Sequence, residues 1–233
     1  TLTTLSESPL RFGLVYTGTD DGNIHVTKDG GYSWEQLNQT EVNEPVSRKS
    51  RTKKSTTNDS RLTTHNLWVS RVTASQHKES RVYVSLNGYR FDDFSPYLYV
   101  SDDYGQSWTT IGKDLPFEPI NVVTEDPKDE NIIYVGTDGG LYVSFDKGNS
   151  FMLWNAGMPK SVPVHDIAIQ QRQNEIVLGT HGRSIYIAEL EDVQKIRTDP
   201  DWLNKKKKME EDEKVSKPKQ SPSEPEEQEM EID

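Results

Sequence analysis

The residues best suited to ligand chemistry are arginine, histidine and aspartate side chains that follow apolar segments. The candidate ligand-binding residues are Arg71, Arg90, Asp92, Asp93, His181 and Arg183. Arginine binds carboxylates in a bidentate manner, so Arg71, Arg90 and Arg183 could recognise an anion or a carbohydrate. The same arginines could instead pair with Asp92 or Asp93 and hold neighbouring turns together. Both interpretations stay open at this level.

An enzymatic interpretation would use the carboxylates Asp92, Asp93 and Asp138 as catalytic groups. Glycoside hydrolysis requires two carboxyl groups, about 5 Å apart in retaining enzymes or about 6.5 to 9.5 Å apart in inverting enzymes. Sequence spacing does not place any two of these aspartates across one cleft. No histidine pair or acidic loop has the spacing of a metal site, and no glycine loop has the pattern of a phosphate cradle. We therefore predict neither a cofactor nor a metal.

A repeated eight-residue string indicates which elements position these residues. It reads TKDGGYSW at 27–34, SDDYGQSW at 101–108 and SFDKGNSF at 144–151. A second string reads VYTGT at 15–19, IYVGT at 133–137 and IVLGT at 176–180. Asp103 and Asp146 are 43 residues apart, as are Gly136 and Gly179. This period is typical of a four-stranded β-propeller blade of roughly 40 to 45 residues.

The eight-residue string predicts a structural turn, because it recurs whereas a catalytic site occurs once. Its aspartate can accept backbone N–H groups of the turn, its glycine can adopt a positive φ, and its last aromatic residue can pack beneath the turn. The predicted structural residues are Asp29, Gly31, Trp34, Asp103, Gly105, Trp108, Asp146, Gly148 and Phe151.

Alternation and β-branched content predict strands on both sides of these turns. The first blade shows only its last three strands, near residues 13 to 37, and the last blade has no obvious fourth strand. The predicted fold is all-β, a partial β-propeller of about three and a half four-stranded blades. Propellers take four to eight blades to form a ring. The remaining blades are therefore expected on upstream chain or on a partner chain.

The expected domain organisation separates the blades from a polar tail. Residues 1–196 are predicted to form the propeller blades, with a basic loop insertion at 47–64. Residues 197–233 are rich in charge, proline and serine, a composition typical of a disordered tail. Helical periodicity of any useful length is confined to residues 192–203.

Composition excludes several functional classes. The formal net charge of −11 argues against nucleic-acid binding, which requires a basic face. Cysteine is absent, which excludes disulfides, thiolate nucleophiles and cysteine-based zinc sites. No apolar run approaches the roughly 20 residues that a membrane-spanning helix needs. The chain begins at Thr1 without a signal-peptide pattern, so we expect any targeting signal to lie upstream.

The three eight-residue strings resemble the bacterial neuraminidase repeat, or Asp-box, which sialidases, xyloglucanases and sortilin-type propellers share. Longer strings extend the resemblance: GYRFDDFSPYLY at 88–99, YVGTDGGLYVSFD at 134–146 and GTHGRSIYI at 179–187. They are similar to the C-terminal half of large bacterial sortilin-like or glycosyl-hydrolase-repeat proteins. The resemblance implies a secreted or periplasmic propeller, but it supplies no activity, because one fold hosts many functions.

Two functional hypotheses follow from this resemblance. The first is a non-catalytic binding or scaffolding segment of a large exported propeller, which recognises a protein, peptide or carbohydrate on its central face. The alternative is part of a glycoside hydrolase of xyloglucanase or sialidase type with carboxylate acid/base catalysis. In xyloglucanase-type enzymes the acid and the base come from different halves of the fold, so this chain would hold one of them at most.

Overall fold

The computed structural model describes residues 1–39, 62–64, 66–154, 158–159 and 161–216. Most of the predicted basic insertion at 47–64 lies outside these residues. The chain divides into two compact units, Thr1–Leu190 and Glu191–Asp233. Within the described residues, no helix is both long and apolar enough to span a bilayer.

The first unit contains four antiparallel sheets, each built from consecutive strands. The first sheet consists of β1 (Leu2–Glu7), β2 (Val15–Thr19), β3 (Ile24–Thr27) and β4 (Glu35–Gln36). A short parallel pair follows, β5 (Asn38–Gln39) and β6 (Leu62–Thr63). The second sheet consists of β7 (Trp68–Ala74), β8 (Val82–Gly88), β9 (Asp93–Ser101) and β10 (Thr109–Thr110), with a 3-10 turn at Tyr89–Phe91.

The third sheet consists of β11 (Ile120–Glu125), β12 (Ile133–Thr137), β13 (Leu141–Ser144) and β14 (Met152–Leu153). The fourth sheet has three strands among the described residues, β15 (Val164–Gln170), β16 (Glu175–Thr180) and β17 (Ile185–Glu189). After β17 the chain enters a helix, so no fourth strand follows it there.

The first sheet is complete, which corrects the prediction that only its last three strands are present. β1 pairs antiparallel with β2, from Leu2 opposite Thr19 to Glu7 opposite Val15. Its leucines, Leu2 and Leu5, are exposed, whereas Thr4 is buried. The strand therefore lacks the buried apolar face by which alternation reveals a strand.

The four sheets fan around a common axis. β1 contacts β7, β7 contacts β11, and β11 contacts β15, so the first strands of successive sheets are neighbours. Side chains reinforce this order: Thr3 Oγ1 donates to the carbonyl of Val69 at 2.8 Å, and Ser70 Oγ donates to that of Ile120 at 2.7 Å. Antiparallel sheets that radiate from adjacent inner strands form a partial β-propeller.

Apolar side chains fill the spaces between successive sheets. One cluster joins the first and second sheets and includes Leu37, Val69 and Val84. Another joins the second and third sheets and includes Leu98 and Ile111. Full burial of one such side chain contributes about 1.5 to 3 kcal/mol, so packing between sheets is a main source of stability for the first unit.

The second unit contains two helices, α1 (Glu191–Thr198) and α2 (Trp202–Ser216). Trp202 Nε1 donates to Asp192 Oδ1 at 2.9 Å, and Lys206 Nζ lies 2.7 Å from Asp192 Oδ2. The sequence predicts a domain boundary at residue 196 and a disordered tail from 197. The division into units falls after Leu190, and residues 202–216 are helical. Residues 217–233 lie outside the described part.

Candidate functional site

The first strand of each of the four antiparallel sheets has a register shift near its start. The pairing register shifts between Leu2 and Thr4, between Val69 and Arg71, between Ile120 and Val122, and between Val164 and Asp166. The residues within these four shifts are Thr3, Ser70, Asn121 and His165. A β-bulge re-aims a side chain, and all four of these residues line one cleft.

This central cleft is lined by residues from all four sheets and has a volume of about 320 Å³. Its lining residues are Thr3, Thr4, Leu5, Trp68, Ser70, Arg71, Asn121 and His165. The volume is at the lower end of the range for small-molecule sites, so the cleft can hold a small polar ligand or a few side chains of a peptide.

Arg71 supplies the positive charge of the cleft. Its Nη2 lies 2.6 Å from Asp166 Oδ1, which joins the second and fourth sheets. The Arg71 and Asp166 side chains are 31% and 66% exposed, and exposed ion pairs contribute only about 0 to 1 kcal/mol. Arg71 Nε is buried and has no hydrogen-bond partner among the described residues. An anionic ligand can therefore compete with Asp166 for the guanidinium group.

Trp68 forms the aromatic side of the cleft. The Arg90 guanidinium carbon lies 5.3 Å from the centre of the Trp68 ring, in cation–π geometry. Trp68 Nε1 is buried without a partner among the described residues. Arg90 therefore packs on a lining residue and does not line the cleft itself.

Asn121 connects the cleft to a set of hydrogen-bonded polar side chains behind it. Its Oδ1 accepts a hydrogen bond from Asn87 Nδ2 at 3.0 Å, and its Nδ2 donates to Asp138 Oδ1 at 2.8 Å. The same amide nitrogen lies 3.4 Å from the carbonyl of Val164 in the fourth sheet. These contacts fix the amide orientation and place the Asp138 carboxylate behind Asn121.

Two histidines meet at the fourth sheet. The rings of His165 and His181 are 5.2 Å apart between centres, and the backbone N–H of His181 donates to the carbonyl of Pro163 at 3.1 Å. Gly182 has a φ of +71° in the turn between β16 and β17, where Arg183 is exposed. His181 therefore contacts a lining residue, whereas Arg183 lies on the turn outside the lining.

The two aspartates of the β8–β9 turn also lie outside the lining. Asp92 has a φ of +55° at the end of the 3-10 turn. Asp93 accepts hydrogen bonds from Tyr97 Oη at 2.7 Å and from the Ser95 N–H at 3.0 Å. As far as the described residues show, the cleft lining contains no carboxylate. Asp92, Asp93 and Asp138 are thus not brought together within it.

Of the predicted ligand-binding residues, only Arg71 lines the cleft directly. The four bulge residues, Thr3, Ser70, Asn121 and His165, are absent from the sequence prediction. Their side chains differ in type, and the register shifts that direct them to the cleft depend on pairing with a second strand, so the repeat does not mark them. Within the described residues, no group of three or more histidine or acidic side chains is arranged to hold a metal ion.

Three carboxylate turns, at 27–34, 101–108 and 144–151, connect the third and fourth strands of the first three sheets. In the second of them, Asp103 accepts hydrogen bonds from Ser107 N at 2.9 Å, from Ser107 Oγ, and from Ser101 Oγ at 2.7 Å. Asp29 and Asp146 accept the same three bonds within their own turns. Each carboxylate therefore joins both sides of its turn.

These hydrogen bonds predict acid sensitivity. The Ser33 hydroxyl, with the Ser33 N–H and the Thr27 hydroxyl, lowers the pKa of Asp29 from 3.8 to about 2. Burial raises the pKa of Asp103 and Asp146, but hydrogen bonds led by those from Ser107 and Ser150 outweigh it, and both pKa values are lowered. Stability from a depressed pKa is present above the unfolded value and is lost as pH falls through the folded value.

The unfolding temperature should therefore fall as pH drops from about 4 toward about 2. The variants Asp103→Asn and Asp146→Asn should have a lower unfolding temperature than the wild type at about pH 4. Their unfolding temperature should fall less between about pH 4 and about pH 2, as measured by circular dichroism melting. Asp92→Asn, at an exposed turn position, serves as the control. Equal acid losses in all variants would contradict a role for these carboxylates.

Four sheets fanned around a polar central cleft define the class of this molecule as a partial β-propeller with a candidate binding site on its axis. No protein-family model and no curated protein sequence matches the chain. Solved propeller structures are similar to it. A GH74 enzyme from Niastella koreensis superposes with a TM-score of 0.55 at 14% identity, over 80% of this chain and 28% of that one.

Two further structures show the same likeness. The GH74 xyloglucanase from Xanthomonas campestris has a TM-score of 0.52 at 15% identity, over 82% of this chain and 31% of the enzyme. YCF48 bound to D1 peptide has a TM-score of 0.52 at 15% identity, over 82% of this chain and 52% of YCF48. The chain thus spans from under a third to about half of these proteins, and identity at this level shows the fold alone.

Proposed function

We propose that this chain is a non-catalytic binding and scaffolding segment of a larger β-propeller, and that its central cleft takes a peptide with an acidic group. The observation that carries the proposal is the position of Arg71, which lines a cleft to which all four sheets contribute and pairs there with an exposed aspartate. YCF48, a propeller of similar fold, is bound to a D1 peptide in its solved structure, and this supports a peptide as the ligand class.

The chemistry of the lining fits a peptide ligand. Arg71 can bind a carboxylate in a bidentate manner once Asp166 is displaced. The second lone pair of Asn121 Oδ1 can accept a peptide N–H, the His165 ring can pair with a peptide amide, and Trp68 offers an apolar ring. The candidate catalytic aspartates lie outside this lining, which favours binding over hydrolysis. By the same proposal, the carboxylate turns are Asp-box turns of a sortilin-like, exported protein, as the sequence resemblance implies.

Substitutions on the two sides of the ion pair should change affinity in opposite directions. Arg71→Gln should weaken binding of Asp- and Glu-containing pentapeptides about tenfold or more, because a hydrogen bond to a charged group contributes about 1.5 to 3 kcal/mol. Asp166→Asn should strengthen it, because the competing carboxylate is removed. Isothermal titration calorimetry measures both, with Arg172→Gln on the exposed β15–β16 turn as the matched control.

The probes are acidic pentapeptides and their Asn/Gln counterparts. The proposal predicts a preference for the acidic set that Arg71→Gln abolishes. Equal affinity of wild type and Arg71→Gln, or weaker binding by Asp166→Asn, would contradict it. Turnover of xyloglucan or a sialoside that is lost in one of Asp92→Asn, Asp93→Asn or Asp138→Asn would favour the hydrolase alternative instead.

A further inference from the structure

The first carboxylate turn differs from the other two in what covers it. Trp34 is 48% exposed and Tyr32 is 94% exposed. Leu5 and Phe12, also in the first sheet and its loops, are exposed as well. In contrast, Trp108 and Phe151, which end the second and third turns, are half-buried against the apolar clusters between sheets. The second and third turns therefore show what covers this surface of a carboxylate turn, which is exposed to solvent in the first turn.

The second carboxylate turn is covered by the end of the first sheet. A Cβ added at Gly105 would lie 2.4 Å from Leu37 Cδ1, so this glycine rests directly on the leucine. Trp108 packs against the cluster that contains Leu37. Gln106 Nε2 also donates to Glu35 Oε1 at 2.8 Å. The turn thus docks on the fourth strand of the preceding sheet and on the residue that follows it.

The third carboxylate turn repeats this arrangement on the second sheet. A Cβ added at Gly148 would lie 2.7 Å from Ile111 Cδ1, and Phe151 packs against the cluster that contains Ile111. Ile111 and Leu37 occupy equivalent positions in the second and first sheets. The N–H of Ile111 donates to the carbonyl of Leu98 in the third strand of its sheet, and the N–H of Leu37 donates to that of Ile24. An apolar residue just after a fourth strand covers the glycine of the next turn in both cases.

Gly31 is the equivalent glycine of the first turn. No described atom lies within 4 Å of a Cβ added there. We propose that Gly31, Tyr32 and Trp34 form a socket for another complete propeller blade, which inserts the apolar residue that follows its fourth strand. This inference rests on the proposed function in one respect, namely that the chain is a segment of a larger propeller.

The repeat also argues against a second copy of this chain as the occupant. Head-to-tail assembly of two copies would place the fourth sheet of one against the first sheet of the other. The fourth sheet ends at β17 in the described residues and runs into α1, so it has no residue equivalent to Leu37 or Ile111. The socket therefore requires a four-stranded blade from another segment of polypeptide.

Supplying such a blade tests the socket directly. In the extended chain, a copy of residues 68–119 is placed immediately before Leu2. Residue 119 is then followed by Leu2 as it is normally followed by Ile120, and both residues begin a first strand with the same register shift. Hydroxyl-radical footprinting with mass spectrometry gives the oxidation rate of each tryptophan. The rate of Trp34 should fall to that of Trp108 in the extended chain. It should stay high when Ile111 of the added copy carries Ile111→Ser.

A second variant, in the unextended chain, tests whether the apolar residue after a fourth strand covers the next carboxylate turn. Leu37→Ser should raise the oxidation rate of Trp108 toward that of Trp34, while Phe151 in the third turn keeps its rate. The proposal is overturned if Trp108 stays protected in Leu37→Ser, or if the added blade leaves Trp34 unchanged. Protection of Trp34 in the unextended chain would show that this chain fills its own socket, and protection that grows with protein concentration would show a second copy. None of these outcomes depends on peptide binding in the cleft.

Discussion

Gly136→Val is expected to destabilise the first unit by about 3 kcal/mol or more, toward the upper range for overpacking in a core. A Cβ at Gly136 would lie 2.6 Å from Val122 Cγ1, and 2.8 Å from both Val164 Cγ1 and the Val164 carbonyl oxygen. Val164 belongs to the first strand of the next sheet, and its backbone cannot move without shifting that sheet. The glycine therefore sets how closely the third and fourth sheets approach.

The internal repeat supplies a matched control for this prediction. Gly179 occupies the same place in the fourth sheet, but the nearest atom to a Cβ there is Asp166 Cβ at 3.4 Å, an ordinary contact within its own sheet. Gly179→Val should cost less than about 1 kcal/mol, since valine favours strands. Urea unfolding of the two variants measures the difference. An equal loss of unfolding free energy in the two variants would show that the destabilisation arises within each sheet and not from contact with the next sheet.

Arg81→Met is expected to destabilise the protein by about 3 to 5 kcal/mol, because it leaves a buried charge without its partner. The Arg81 side chain is only 9% exposed, and its Nη1 lies 3.6 Å from Oε1 of the fully buried Glu125. Glu125 also accepts hydrogen bonds from Ser75 Oγ at 2.6 Å and from Tyr83 Oη at 3.0 Å. The network joins the second and third sheets, so its loss should lower the free energy of unfolding of the whole unit.

Two comparisons separate burial from simple charge removal. Lys147 contacts Glu130 at 2.6 Å, as Arg81 does at 3.1 Å, but the Lys147 side chain is 40% exposed. Lys147→Met should cost less than about 1 kcal/mol, as exposed pairs do. The double variant Arg81→Met/Glu125→Gln should recover part of the loss, because no buried charge is left unpaired. Chemical denaturation that gives Arg81→Met a cost similar to that of Lys147→Met would refute the buried-charge explanation.

The parts of the fold that sequence predicts well are those stabilised by local contacts. Each carboxylate turn is held by hydrogen bonds between residues at most four positions apart, such as those from Ser107 to Asp103, so its residues appear together in the repeat. The sheets follow from the spacing of these turns. The first strand is the exception, since Leu2 and Leu5 point away from the core in this chain and its pairing depends on β2.

The candidate site is less predictable because it depends on contacts between distant residues. Arg71 and Asp166 meet across 95 positions, and Ser70 reaches the carbonyl of Ile120 across 50. The buried Glu125 contacts Ser75, Tyr83 and Arg81, which belong to the second sheet and its β7–β8 turn. No local pattern indicates these partners, although the repeat correctly predicts that the strands carrying them are neighbours.

The docking of each carboxylate turn on the preceding sheet has a consequence for biosynthesis. The second turn rests on Leu37 and the third on Ile111, so each of these turns docks on the sheet that is translated before it. A nascent chain can therefore add finished blades in the order in which they leave the ribosome, as repeat architectures allow. Removal of blades from the carboxyl end would leave the earlier turns docked, whereas removal from the amino end would expose the turn of the first blade that remains.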